Sequence, residues 1–89
     1  MNARHLRAHE ARLNITWQGQ NADLPDPVPF DATDRQLKQW AAEAIAHGSV
    51  PGIRNHGRLN VRDFVVDRFP ANNQTPYARI FIRPKTPFG

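Results

Sequence analysis

The sequence predicts an α+β domain in which a four-stranded mixed sheet packs on one amphipathic helix. Three observations lead there. Residues 13–18 and 78–83 alternate apolar and polar side chains with a period of two, as half-buried strands do. Between them, Leu37, Trp40, Ala41, Ala44 and Ile45 fall on one stripe of a helix. Two further β-compatible stretches, "PVPF" and "VRDFVVDRF", lie one on each side of that helix.

The first strand is read from Leu13, Ile15 and Trp17, which alternate with Asn14, Thr16 and Gln18; Gly19 to Asn21 then supply turn chemistry. In "DPVPFDA", Pro27 and Pro29 stand two apart, so their missing N–H groups fall on one edge of an extended chain. Val28 and Phe30 then turn their donors to a neighbour, and the segment can pair on one side only, as an edge strand. With 13–18 it forms an antiparallel hairpin joined by a longish loop.

The helix begins at "ATDRQ", where Thr33 and Gln36 have the spacing of a capping box, and Gly48 is placed to end it in a left-handed conformation. Residues 52–60 read as loop. In "VRDFVVDRF", Phe64 and Val66 share one face and Val65 and Phe69 the other. "PANNQTP" is turn-rich. In the closing strand Ala78, Ile80 and Ile82 alternate with Arg79, Phe81 and Arg83, and Pro84 and Pro87 end any ladder beyond. Because the helix joins two β pairs, a right-handed crossover sets the first and last strands parallel at the sheet centre.

A chain of 89 residues holds one domain with a small core. With no cysteine it has no disulfide, thiolate metal site or cysteine nucleophile, which is compatible with a cytoplasmic location. No apolar run approaches the ~18 residues of a membrane span, and the basic start "MNARHLRAHEAR" lacks the apolar stretch of a secretory signal.

The net charge of +4 is unevenly spread. Residues 1–50 carry five basic and six acidic groups, whereas residues 51–89 carry seven basic and two acidic. A basic half of this kind attracts acidic proteins or nucleic acid, or is simply a solvated face.

The order of elements resembles the ubiquitin-like β-grasp superfamily, and in particular its diverged bacterial members. The stretches that carry the resemblance are "LNITWQG" with "PVPFDA", "DATDRQLKQWAAEAI", and "ARIFIRP" leading to a terminal glycine. The resemblance covers residues 13–89 and implies a β-grasp domain over 13–83 with a C-terminal tail over 84–89; residues 1–12, with Arg4, Arg7 and Arg12 and little apolar content, read as a flexible basic arm before it. The resemblance also implies an edge second strand, in agreement with the prolines. Where ubiquitin ends in diglycine, this sequence ends Pro87-Phe88-Gly89, and its only lysines are Lys38 and Lys85.

The function expected from this resemblance is recognition rather than catalysis. The protein is read as a non-covalent adaptor for a protein partner, or as a modifier joined through Gly89, whose partner is an activating, conjugating or deconjugating enzyme. The contacts expected to serve it are Arg79, Phe81 and Arg83 on one face of the last strand, with Lys85 and Phe88 in the tail. The alternative is a basic nucleic-acid-binding module in which the same arginines hold phosphates and Phe81 stacks a base. Arg54, Arg58 and Arg62, evenly spaced before the third strand, belong to the same question.

No catalytic residue, metal or cofactor is expected. His5 and His9 have i, i+4 spacing, but the following Glu10 is not where a zinc protease motif puts its glutamate. "HGSVPG" is neither a nucleophile elbow nor a phosphate loop, and a helix stop followed by a turn explains all of it. Asp63 and Asp67 alternate with Arg62 and Arg68 and read as local neutralisation rather than a catalytic pair.

Overall fold

A computed structural model describes residues 8–54 and 60–85. It is α+β: one helix packs against a mixed sheet of five strands. In chain order these are β1 (Glu10–Trp17), β2 (Gln20–Asp23), β3 (Val28–Pro29), α1 (Asp34–Ala46), β4 (Val65–Phe69) and β5 (Ala78–Arg83). The strands lie in the order β2-β1-β5-β4, with β3 also paired to β1.

β1 and β5 run parallel at the centre, with Leu13 beside Ile80 and Ile15 beside Ile82. The other pairings, β1 with β2, β1 with β3 and β4 with β5, are antiparallel. Ala11 pairs with Ala78 of β5 and with Val28 of β3, so β3 lies on the side of β1 away from β5, the side β2 also occupies.

The count of five where the sequence predicts four has a simple cause. β2 and β3 share one position across the sheet and are separated by Leu24-Pro25-Asp26-Pro27. Leu24 still donates to Leu13 O (2.8 Å) and Phe30 to His9 O (2.9 Å), so the edge resumes after the prolines interrupt it. Phe30 thus turns its donor inward, and this edge is outermost, as the proline spacing requires.

The hairpin is tighter than the longish loop expected. Gln18 (φ 51°) and Gly19 (φ 77°) form a two-residue turn in which both residues are left-handed, a twist that suits adjoining strands. β2, "QNAD", has no apolar alternation to betray it. β1 begins at Glu10, so Glu10–Arg12, which the sequence assigns to the arm, belong to the sheet.

One sheet face forms the core. Ala11, Leu13, Ile15 and Trp17 of β1 meet Ala78, Ile80 and Ile82 of β5 there, covered by Leu37, Ala41 and Ile45 of α1. Trp40 and Ala44, the other two members of the predicted stripe, are half-buried at its margin. Leu24, Val50, Ile53 and Val61 close the ends of the core. Buried apolar side chains of this kind each stabilise the fold by about 1.5–3 kcal/mol.

Both ends of α1 are satisfied. The Thr33 hydroxyl accepts from Gln36 N at 3.1 Å. At the other end Gly48 (φ 69°) donates to Ile45 O and Ser49 to Ala44 O, the paired bonds of a Schellman stop. Arg68 of β4 fastens the start of the helix from across the molecule, donating to Phe30 O (3.0 Å) and forming an ion pair with Asp34.

Candidate protein-binding face

The helix covers one side of the sheet, and the residues that alternate with the core line the other. β1 contributes Glu10, Arg12, Asn14 and Thr16, β2 Asn21 and Asp23, β5 Arg79, Phe81 and Arg83, and β4 Val65, Asp67 and Phe69. Register sets these in rows: Asp23, Asn14, Phe81 and Asp67 lie abreast, next to a row of Arg12, Arg79 and Phe69.

The two halves of this face differ in chemistry. Over β1 and β2, Asn14 and Asn21 donate to each other (3.1 and 2.8 Å), Asn14 also donates to Asp23 (2.9 Å), and Asn21 to the Thr16 hydroxyl (2.9 Å). Such a ladder locks short polar side chains flat on the sheet.

Over β4 and β5 the face is aromatic and cationic. Phe69 and Phe81 meet edge to face with centroids 5.5 Å apart, and the Arg79 guanidinium lies 5.4 Å from one ring and 5.8 Å from the other. Arg79 Nε is buried and has no hydrogen-bond partner among the described residues. Phe69 is 42 % exposed, the most exposed large apolar side chain of the described residues, followed by Tyr77 at 39 %. Arg83 is bound by Asp67.

Two shallow depressions flank Phe81 and share Asn14 as well. One, of about 440 Å³, runs over Thr16, Asn21, Asp67, Phe69 and Arg83; the other, of about 180 Å³, is bounded by Arg12, Asp23, Tyr77 and Arg79. A third, of about 570 Å³, lies elsewhere, between the outer side of α1 and residues 61–62, and is lined by Arg35, Lys38, Gln39, Ala42, Val61 and Arg62. Lys38 Nζ donates to Arg62 O at 2.7 Å there.

The chain matches no family model, no curated protein and no solved structure. Physical chemistry of the face is therefore what speaks to function.

Of the residues singled out in the sequence, Arg79, Phe81 and Arg83 come together on this face, while Lys85 follows it, exposed, just past the end of β5. Phe88 and Gly89 lie outside the described residues, as do His5 and Arg58. Arg54 and Arg62 are remote from the face: Arg54 N donates to Gln20 Oε1, and Arg62 borders the cleft beside α1. Phe69 completes the ring cluster and Arg12 the cationic corner; Phe69 was legible only as a strand residue and Arg12 only as part of the basic arm, because their neighbours come from other strands. Among the described residues no three His, Cys, Asp or Glu side chains gather as a metal site would need, and no helix is long and apolar enough to cross a membrane.

Proposed function

We propose that the chain is a diverged ubiquitin-like β-grasp protein that binds a protein partner non-covalently through the open face of its sheet. A single helix against a sheet with parallel central strands supports the β-grasp reading. The observation that carries the docking reading is the cluster of Phe69, Phe81 and Arg79 left uncovered on that face. Aromatic and arginine side chains held rigid before contact are the groups that concentrate binding energy at protein interfaces. Covalent attachment through Gly89 is a narrower form of the same proposal and has its own test.

Nucleic-acid binding is less well supported by the same geometry. A base stacks on an open ring face, and here Arg79 already lies over both rings. Asp23 and Asp67 add carboxylates to the face that a phosphate backbone would have to cross.

Site-specific photo-crosslinking tests the docking reading. An aromatic photo-crosslinking residue replaces Phe69 in one variant and Gln39, on the exposed side of α1, in the control. The expected result is a discrete protein adduct from position 69 that is absent from position 39 and lost when Phe81→Ser is added. No adduct from position 69, or the same adducts from both positions, overturns it.

A further inference from the structure

Arg12 and Arg79 are partners in the parallel register of β1 and β5, and both line the smaller depression on the open face. Neighbouring strands lie about 4.8 Å apart, so two arginines stand at adjacent backbone positions, with the Arg79 guanidinium against the rings of Phe69 and Phe81. Like charges set side by side in this way destabilise a sheet. Neither arginine is in an ion pair among the described residues; on this face the pair is Arg83 with Asp67. Asp23 also lines the depression, where its Oδ1 accepts from Asn14, and it forms no ion pair with either arginine among the described residues.

Arg79 has little freedom to turn away. Two rings hold its guanidinium, and its Nε is buried without a partner. A cation fixed before contact and set beside a second one is arranged for an anion. The depression is about 180 Å³, below the roughly 300–1,000 Å³ of cofactor and small-molecule sites, and its size suits single side chains. Across Asn14 and Phe81, which line both, lies the larger depression, whose amide and hydroxyl groups offer a track for neighbouring residues of the same segment.

We propose that Arg12 and Arg79 together receive the carboxylate side chains of an acidic, extended segment of a partner protein, a refinement that rests on the docking reading above. Carboxylates on a peptide can meet this one corner and leave Asp67, already neutralised by Arg83, at a distance.

The test is a titration of the full chain, followed through its backbone amide resonances, with a blocked hexaglutamate peptide. Hexaglutamine, inorganic phosphate and a thymidine hexanucleotide serve as the other probes. Saturable shifts at Arg12, Asn14, Tyr77, Arg79 and Phe81 with hexaglutamate, and none with hexaglutamine, are expected. Arg12→Gln should weaken that binding about tenfold or more, the loss expected for one charge-assisted hydrogen bond. Arg12 is the residue to change because Arg79→Gln would also undo the ring contacts. Relief of repulsion makes Arg12→Gln melt no lower than wild type at low salt, which separates lost binding from lost folding.

The proposal is overturned by an absence of saturable shifts, by shifts centred instead on Arg35, Lys38 and Arg62, or by equal binding of wild type and Arg12→Gln. Tighter binding of phosphate or of the hexanucleotide at the same amides overturns it as well, in favour of a simple oxyanion or a nucleic acid. A partner captured through position 69 without hexaglutamate binding removes only the acidic segment; failure of both experiments removes the docking face too.

Discussion

Asp67 and Arg83 grip each other diagonally across β4 and β5, with one carboxylate oxygen 2.8 Å from Nη2 and 2.9 Å from Nε. The pair keeps the last cation of β5 occupied, whereas Arg79 and Arg12 are in no ion pair among the described residues. Both partners remain in contact with solvent, so screening limits what the contact contributes. A double-mutant cycle with Asp67→Asn and Arg83→Gln, measured by urea unfolding, should give a coupling of about 0.2–1 kcal/mol that shrinks as salt is added. A salt-insensitive coupling of more than about 2 kcal/mol would show a desolvated pair instead.

The two faces of the sheet should respond very differently to truncation. Ile80 is fully buried between β1 and α1, and Ile80→Ala should cost about 2–5 kcal/mol. Phe69 on the opposite face is 42 % exposed, and Phe69→Ala should cost only about 1 kcal/mol from its ring and cation contacts. Urea midpoints at constant slope provide the comparison. Equal losses would mean that the open face is a second core.

Gly19 separates conformation from space. A Cβ added there meets nothing within 4 Å, yet φ is +77°. Gly19→Ala should therefore cost about 1–2 kcal/mol through backbone strain alone, and lower the melting temperature by roughly 4–8 °C per kcal/mol in a domain of this size. Gly19→Asn, which tolerates the left-handed region, should recover much of that loss. Equal melting of the alanine variant and wild type would place the turn in another conformation.

For nucleic acid, the expected outcome is no retained complex with a single-stranded oligonucleotide at physiological salt. Any binding at low salt should fall steeply as salt rises and should not depend on Phe81. Fluorescence anisotropy of wild type and Phe81→Ala checks this. Loss of affinity on removing Phe81 would mean that bases stack on the sheet after all.

Covalent attachment has its own readout. N-terminally tagged chain, compared with a Gly89 deletion in the cells that make it, should show higher-mass species carrying an isopeptide at Gly89 only in the wild type. A single unmodified band in both, by denaturing blot and mass spectrometry, removes the modifier and leaves the adaptor untouched.

Much of the fold could be read from residue order because its signals are local. A period of two marks β1 and β5, a period near 3.6 marks α1, and Thr33 and Gly48 announce the ends of that helix from within a few positions of the backbone groups they serve. Two prolines two apart were enough to place 27–30 at an edge. β2 escaped because four polar residues carry no burial pattern: their strand is held by pairing with β1 and by a side-chain ladder whose members come from both strands. The division of one edge into β2 and β3 escaped for a related reason, since Pro25 and Pro27 interrupt a ladder only once its partner is known.

The sequence by itself determined which faces of β1, β5 and α1 turn inward, since side-chain direction follows from backbone period alone. It also showed that Arg79, Phe81 and Arg83 share a face. Tertiary structure decided what surrounds them. Phe69 reaches Phe81 only because β4 lies antiparallel to β5, and Arg12 stands beside Arg79 only because β1 runs parallel to it. Phe69 and Phe81 are 12 residues apart in the chain and Arg12 and Arg79 are 67 apart, and it is the pairing of whole strands that makes them neighbours.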